Sequence, residues 1–203
     1  MSSAADFLPD RLSIRSLREA AADCRGCDLY RHATQTVFGE GKARARLMFV
    51  GEQPGDREDL EGHPFVGPAG KLLHNAMVQA GIDPRTVYIT NTVKHFKFIT
   101  RGKRRIHSKP RTIEIRACMP WLEAELKAIR PGLVVALGAT AAQALLGAKF
   151  RLTRHRGEIV SSALAERVLA TVHPSSILRE RDDEARHREL AAFVADLRVV
   201  AKA

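Results

Sequence analysis

The stretch Leu47-Met-Phe-Val-Gly-Glu-Gln-Pro-Gly55 is an apolar run of strand length that leads directly into a glycine-rich loop. Three further apolar runs of similar length follow along the chain, at Val87–Asn91, Leu133–Leu137 and Val168–Val172. Helical patterns separate or follow these runs, at Ala69–Ala80, Thr112–Ile129, Ala139–Leu146 and Asp182–Val199. Strands that alternate with helices predict βαβ units and a parallel sheet covered on both faces. We therefore expect one α/β domain, a three-layer α/β/α sandwich around a four-stranded parallel sheet.

The segments outside these runs are less regular. We expect residues 1–10 to be disordered and a short amphipathic helix to follow, with Leu12, Leu17 and Ala20–Ala21 on its apolar side. Phe150–Val160, which contains Arg156-Gly157, is a candidate for an additional hairpin. Internal repeats, low-complexity tracts and linkers are absent from the sequence, so the whole chain 1–203 is interpreted as a single domain.

Charge is the first indication of a partner. Lysine and arginine number 33 against 23 acidic residues, which gives a formal net charge of +10. Such a surplus favours a polyanion, nucleic acid before a membrane surface, although solubility alone is a third explanation. No apolar run is long enough to cross a bilayer, and the N-terminus resembles no secretory signal. We therefore expect a cytoplasmic monomer without a membrane partner.

Polar and glycine-rich residues follow the predicted strands. In a doubly wound sheet the active site lies at the carboxyl ends of the strands. Those ends carry Gly51–Gly55, Asn91, Gly138 and His173–Ser176. A glycine-rich loop can be an ordinary βα turn, and a lone histidine is more often structural than catalytic. Glu52, Asn91 and His173 on neighbouring strand ends together favour a functional site.

Phe65 precedes a helix within Pro64-Phe-Val-Gly-Pro-Ala-Gly70. It is either a core residue or an aromatic wall against which a base stacks, a contact that contributes about 1–3 kcal/mol per base in single-strand binding proteins. The glycines of this segment permit close approach of the backbone, and Pro68 suits the first turn of a helix.

Three cysteines, an odd number, argue against a disulfide framework. Cys24 and Cys27 form a Cys-x-x-Cys pair, Cys118 is distant, and His95 is a candidate fourth ligand. Three thiolates and one imidazole suit zinc, and they also suit an iron–sulfur cluster in which histidine replaces one cysteine. Spacing alone leaves both metals open, beside the simpler interpretation of buried thiols.

Arg101-Gly-Lys-Arg-Arg-Ile-His107 is the densest basic run. Most runs of this kind are solvated surface loops. Because His107 ends the run, we also consider a flexible arm that is hinged at Gly102 and brings an imidazole towards the strand ends.

These motifs resemble those of the uracil-DNA glycosylase superfamily. The resemblance rests on Gly51–Gly55, Pro64–Gly70, Asn91 and His173-Pro-Ser175, and it extends from about Cys24 to the last helix. The cysteines resemble those of the iron–sulfur family-4 enzymes, except that His95 stands where a third cysteine is expected. Both His95 and the segment Lys103-Arg-Arg-Ile-His107 are similar to features of the X-type enzymes. Those enzymes become covalently attached to the DNA site from which they have removed uracil.

The resemblance implies a 4Fe-4S cluster held by Cys24, Cys27, His95 and Cys118. It implies uracil-containing DNA as substrate, single strands included, with Lys103, Arg104 and Arg105 on the DNA backbone. Glu52, His173 and His107 are the expected catalytic residues, with His107 as the nucleophile that attacks C1′. The expected contacts to the flipped base come from Gly51, Gln53, Phe65, Asn91 and Ser175.

Two other functions remain open at this level. One is a conventional turnover glycosylase in which His107 only contacts DNA. The other is a metal-stabilised DNA-binding module without enzymatic activity, which leaves Glu52 and Asn91 without a role. A nucleotide-hydrolysing α/β protein is disfavoured because no Walker lysine follows the glycine loop.

Overall fold

The computed structural model describes residues 3–203. Within this range the strands are β1 (Glu40–Gly41), β2 (Leu47–Gly51), β3 (Tyr88–Asn91), β4 (Phe98–Arg101), β5 (Arg104–His107), β6 (Leu133–Leu137), β7 (Ile159–Val160) and β8 (Val168–Thr171). The α-helices are α1 (Ile14–Ala21), α2 (Asp56–Glu61), α3 (Pro68–Gln79), α4 (Thr112–Ile129), α5 (Ala139–Leu146), α6 (Leu152–His155), α7 (Pro174–Arg179) and α8 (Asp183–Lys202). Short 3-10 helices lie at Ala4–Phe7, Asp28–Arg31 and Pro84–Thr86.

The central sheet has the strand order β1-β3-β2-β6-β8-β7. Its four inner strands are parallel, as the apolar runs predict. The expected number of strands is wrong, because β1 and β7 add an antiparallel edge on each side. Each edge strand spans only two residues. A pairing that short leaves no periodic signal in the sequence.

Helices cover both faces of the sheet, which confirms the three-layer α/β/α sandwich. Successive residues of a strand point to opposite faces. Phe49 on β2 accordingly packs in one apolar cluster with residues of α3, α7 and α8. Its neighbours Met48 and Val50 pack in a second cluster with residues of α4 and α5. The inner strands are therefore apolar along their whole length because both of their faces are buried.

The start of the chain is more ordered than expected. The predicted disorder is wrong for Ala4–Phe7, which form a 3-10 helix capped by Ser3. Ala4 is buried in a third apolar cluster with Leu17 of α1 and Trp121 of α4, and this burial fixes the segment. Met1 and Ser2 lie outside the described residues.

The candidate hairpin at Phe150–Val160 is also wrong. The segment contains the short helix α6 and the edge strand β7, and β7 pairs with β8 instead of with a strand of its own segment. Gly157, at a φ of 76°, turns the chain between α6 and β7, and its N–H donates to the carbonyl of Ala170 at 2.9 Å. Among residues 3–203, no helix has the length and apolar composition needed to cross a bilayer.

Candidate active site

Two predicted site residues, Phe65 and Asn91, contact Gly51 at the carboxyl end of β2. A Cβ at Gly51 would lie 2.3 Å from Oδ1 of Asn91 and 2.7 Å from Cζ of Phe65, which are impossible contacts. Glycine at this position therefore allows the amide and the ring to approach the strand end. Gly51, Phe65 and Asn91 thus lie together at the edge of the sheet where the sequence places the site.

Glu52 follows Gly51, and each of its carboxylate oxygens has a separate partner. Oε1 lies 3.1 Å from Nε2 of His107. Oε2 accepts a short hydrogen bond from Oγ1 of Thr140, in the first turn of α5. Burial by itself raises the pKa of Glu52, but the hydrogen bonds from His107 and Thr140 outweigh it and lower the pKa below its ordinary value. Glu52 is therefore an anion at neutral pH.

His107 is the last residue of an ordered β-hairpin formed by β4 and β5. The expectation of a flexible arm is wrong, because Phe98, Ile99 and Thr100 supply strand-forming side chains that pair across the turn. Gly102 lies in this turn with a φ of 59°, a conformation that favours glycine. The hairpin delivers the imidazole to Glu52 while 52% of the His107 side chain stays exposed.

The base of this hairpin is clamped by Gln53. Oε1 of its amide accepts from the N–H of Lys97 at 3.0 Å. Nε2 donates to the carbonyls of Lys97 at 3.2 Å and of Ser108 at 3.0 Å. Both ends of the amide are used, so the structure gives Gln53 a different role from the predicted substrate contact. Gln53 joins the Glu52 loop to the two strands that carry His107.

Arg105 provides a second attachment, on the side of the hairpin that faces α2. Its guanidinium lies 2.6 Å from the carboxylates of Asp56 and Asp59, and it stacks over the rings of Phe96 and Phe98. Asp59 is completely buried. This arginine anchors the hairpin to α2, and its predicted contact with the DNA backbone stays a prediction. Lys103 and Arg104 remain exposed, as that prediction requires.

Phe65 and Asn91 lie against Gly51 at the carboxyl end of β2. Phe65 has a φ of 56°, an unfavourable conformation for a bulky residue, and its ring centroid lies 6.1 Å from that of His173. Gly70 makes this conformation possible, since a Cβ there would collide with the Phe65 carbonyl. Asn91 is 2% exposed, and its Oδ1 has no hydrogen-bond partner within residues 3–203. A buried amide oxygen without a protein partner needs a hydrogen-bond donor from a bound group, either an ordered water or a ligand.

His173 begins α7 and carries its proton on a defined nitrogen. Nδ1 accepts from the N–H of Ser175 at 3.1 Å, so in the neutral ring the proton lies on Nε2. Burial lowers the pKa of His173 to about 4, against the opposing effect of Glu52. Ser175 Oγ lies 2.8 Å from the same Nδ1 and accepts from Arg179 at 3.0 Å. Ser175 therefore supports the orientation of the His173 ring, and its predicted contact with the base stays a prediction.

The three cysteines share one apolar cluster around Trp121. Sγ of Cys24 accepts from Nε1 of Trp121 at 3.2 Å, and Sγ of Cys118 accepts from the N–H of Lys94 at 3.3 Å. Burial raises the pKa of Cys27 and raises that of Cys118 to about 12. Among residues 3–203, no three His, Cys, Asp or Glu side chains converge tightly enough to hold a single metal ion.

His95 directly follows Lys94 and is 3% exposed. Its Nε2 lies 2.9 Å from Oγ1 of Thr36, whereas its buried Nδ1 has no partner among the described residues. Burial lowers the pKa of His95 to about 4, which keeps the ring neutral as ligation requires. Thiols that accept N–H hydrogen bonds and an imidazole with a free nitrogen fit an iron–sulfur cluster, whose ligands bind separate irons.

Several residues of the site were not found from the sequence. Thr140, Asp56 and Asp59 carry no recognisable motif, and only their contacts with Glu52 and Arg105 reveal them. The completely buried ion pair of Lys94 with Glu125, at 2.5 Å, was also missed. Nζ of Lys94 donates to the carbonyl of Asn91 at 2.6 Å, and this hydrogen bond holds the last residue of β3 in place. Lys94 lies in the mostly polar segment Thr90-Asn-Thr-Val-Lys-His-Phe-Lys97, so the sequence carries no signal for this pair.

Comparison with known proteins gives a consistent result. The family model described as the uracil DNA glycosylase superfamily matches residues 38–198. A type-4 uracil-DNA glycosylase of Thermotoga maritima is 39% identical over 83% of this chain and 84% of its own length. A protein of the same name from Archaeoglobus fulgidus is 38% identical over 76% of this chain and 78% of its own length. Another, from Sulfurisphaera tokodaii, is 36% identical over 82% of this chain and 76% of its own length.

Proposed function

The chain belongs to the uracil-DNA glycosylase superfamily, and on this premise we propose that it excises uracil from DNA and then captures the abasic site covalently through His107. The observation that carries the proposal is the 3.1 Å contact between His107 and Glu52. It brings a nucleophilic nitrogen to the carboxylate that faces the reacting sugar. The X-type enzymes are the branch of the superfamily with this behaviour.

Uracil recognition is assigned to Asn91 and Phe65. The unpartnered Oδ1 of Asn91 accepts from N3–H of the base, and the amide nitrogen donates to the adjacent O4. Cytosine presents a lone pair at N3 and a donor at N4, so it leaves the amide mismatched in this orientation. Phe65 stacks on the extruded base, and Gly51 leaves room for both contacts.

His173 supports departure of the base. Its Nε2–H donates to O2, where negative charge develops as uracil leaves. A neutral imidazole suits this role because its proton stays on nitrogen, and the low pKa of His173 keeps the ring neutral. Ser175 and Arg179 hold the ring in the required orientation.

The reaction itself proceeds in two steps. The C1′–N1 bond breaks with both electrons leaving on uracil, and the anionic Glu52 stabilises the positive charge on the sugar, as in other oxocarbenium-like transition states. The Nε2–H proton of His107 then passes to Oε1 of Glu52, 3.1 Å away, and the electron pair of that N–H bond forms the bond to C1′. The alkylated imidazole is left neutral, and Glu52 passes the proton through solvent to the uracil anion, so protons and charges balance.

The substrate is DNA that contains uracil, single strands included. Lys103 and Arg104 lie exposed at the turn of the hairpin, where they contact phosphates beside the target nucleotide. Unpaired uracil is easier to extrude than paired uracil because no base pair is lost. We expect the protein to act as a monomer in the cytoplasm.

Cys24, Cys27, His95 and Cys118 would hold a 4Fe-4S cluster. When bound, such a cluster would cross-link three parts of the chain, namely the N-terminal segment, the loop that follows β3, and helix α4. No catalytic step depends on it here. Retention of the cluster by a His95→Cys variant, checked by visible absorption and iron content, supports His95 as the fourth ligand. Unchanged iron content in a His95→Ala variant contradicts it.

A denaturing gel tests the function directly. The protein is mixed with a labelled uracil-containing oligonucleotide, boiled in detergent and compared with a thymine control. A boil-resistant band that requires uracil is the expected result. Release of uracil over many turnovers without that band supports the conventional glycosylase instead. DNA binding without any uracil release favours the non-enzymatic binding module.

A further inference from the structure

The β4–β5 hairpin has two chemically different faces. Directly opposed residues of an antiparallel pair lie on the same face. The pairs Phe98–His107 and Thr100–Arg105 therefore share the face that turns towards Glu52 and α2. The pairs Ile99–Ile106 and Arg101–Arg104 share the opposite, outward face.

The outward face is exposed although half of it is apolar. Ile99 is 59% exposed and Ile106 is 38% exposed, and neither belongs to any of the three core clusters. Arg101 and Arg104 beside them are exposed and have no ion-pair partner within residues 3–203. This apolar cross-strand pair leaves apolar surface in water beside two cations without ion-pair partners among the described residues. Its composition indicates a partner that offers apolar surface and negative charge together.

We propose that this outward face binds the unpaired nucleotides next to the target uracil. Ile99 and Ile106 pack against exposed base and sugar surfaces, and Arg101 and Arg104 contact the flanking phosphates. Single-stranded DNA combines exposed bases with a charged backbone, whereas a duplex hides its base faces. The face belongs to the same hairpin as His107, with Ile106 directly before His107 in the chain and on the opposite side of the strand.

The inference rests on the proposed function, yet it can be tested without uracil excision. The probe is a fluorescent thymine-containing single strand, and the measurement is its Kd from fluorescence anisotropy. The variant is Ile99→Thr with Ile106→Thr, which keeps β-branched side chains and hence strand propensity. Val78→Thr is the matched control, since Val78 is 58% exposed at the far end of α3.

We expect the double variant to bind the single strand about tenfold more weakly. Its affinity for a matched duplex should change less than about twofold. The affinity of the Val78→Thr variant for the single strand should also change less than about twofold. An unchanged melting temperature shows that the variant is folded. Single-strand affinity within twofold of the parent protein overturns the proposal. A change in self-association instead of DNA affinity also overturns it, because the face then contacts a second copy of the chain.

The two arginines provide an independent test through the salt dependence of binding. Each phosphate contact to a single strand contributes about 0.7 to the slope of log K against log salt. Arg101→Gln with Arg104→Gln should reduce that slope by about 1.4, whereas Arg151→Gln with Arg154→Gln, on the segment around α6, should leave it unchanged. An unaltered slope in the first variant contradicts the phosphate contacts, even if uracil excision is confirmed.

Discussion

Nε2 of His107 lies 3.1 Å from Oε1 of Glu52, although the two residues come from different elements. Glu52 directly follows the central strand β2, and His107 ends a hairpin outside the main sheet. Gln53 and Arg105 attach that hairpin to the loop and helix after β2. His107 is therefore held in position before DNA binds, and for the nucleophile that we propose it to be, this lowers the entropic cost of attack.

Substitution of His107 separates excision from capture. We expect His107→Ala to abolish the boil-resistant adduct and to retain measurable uracil release, because Glu52, Asn91 and His173 remain. His155→Ala is the matched control, since His155 is also exposed and lies 2.9 Å from a glutamate. An adduct that persists in His107→Ala identifies a different nucleophile.

Glu52→Gln should slow uracil release and adduct formation together. The amide keeps the size of the side chain but removes the negative charge that stabilises the sugar cation. We expect single-turnover uracil release to fall by about 10²–10³-fold, the size found for loss of one stabilising group. A rate within a few-fold of the parent protein removes Glu52 from the mechanism.

Thr140 should act as a positioning residue for Glu52. Thr140→Val keeps the shape but removes the hydroxyl that donates to Oε2, so the carboxylate loses one of its two anchors. We expect about tenfold slower uracil release with little change in KM, as for loss of a charge-assisted hydrogen bond. Thr140→Ser is the control, because it keeps the hydroxyl. Equal rates in the two variants contradict the assignment.

Loosening the hairpin should affect capture more than excision. Arg105→Gln removes the guanidinium from Asp56 and Asp59, and His107 then samples more positions. At saturating DNA we expect adduct formation to slow by about ten- to a hundredfold, with uracil release slowed much less. Arg57→Gln on α2 controls for loss of one positive charge, since among residues 3–203 Arg57 pairs only with exposed Glu61. Parallel loss of both activities contradicts a separate role for the anchor.

The protonation of His173 can be observed directly by ¹⁵N NMR of labelled histidine. Its pKa is lowered to about 4 in the folded protein, so we expect a neutral ring with the proton on Nε2 from pH 8 down to about 5. In the unfolded chain the ring takes up a proton near pH 6.5. Folding stability therefore falls as the pH drops from about 6.5 towards 4, because the unfolded state binds more protons. Observation of the Nδ1–H tautomer, or protonation near pH 6.5 in the folded state, contradicts this assignment.

Several parts of the structure follow from the sequence alone. The four apolar runs identify the inner strands because parallel strands buried on both faces contain apolar residues at nearly every position. Since all four strands run in the same direction, their carboxyl ends meet, and the polar residues after them must lie at one edge. Glu52, Asn91 and His173 were placed in this way without knowledge of any contact.

Other features were decided only by the tertiary structure. The edge strands are too short for a periodic pattern, and the charges of residues 101–107 hide a strand signal that Phe98, Ile99 and Thr100 supply. Sequence also cannot show where a side chain points. Arg104 and Arg105 are adjacent and identical, yet the alternation of a strand turns Arg104 outward and Arg105 onto Asp59. The contacts of Gln53 could not be predicted either. Both ends of its amide bind the hairpin, and such hydrogen bonds depend on which groups the folded chain brings within reach.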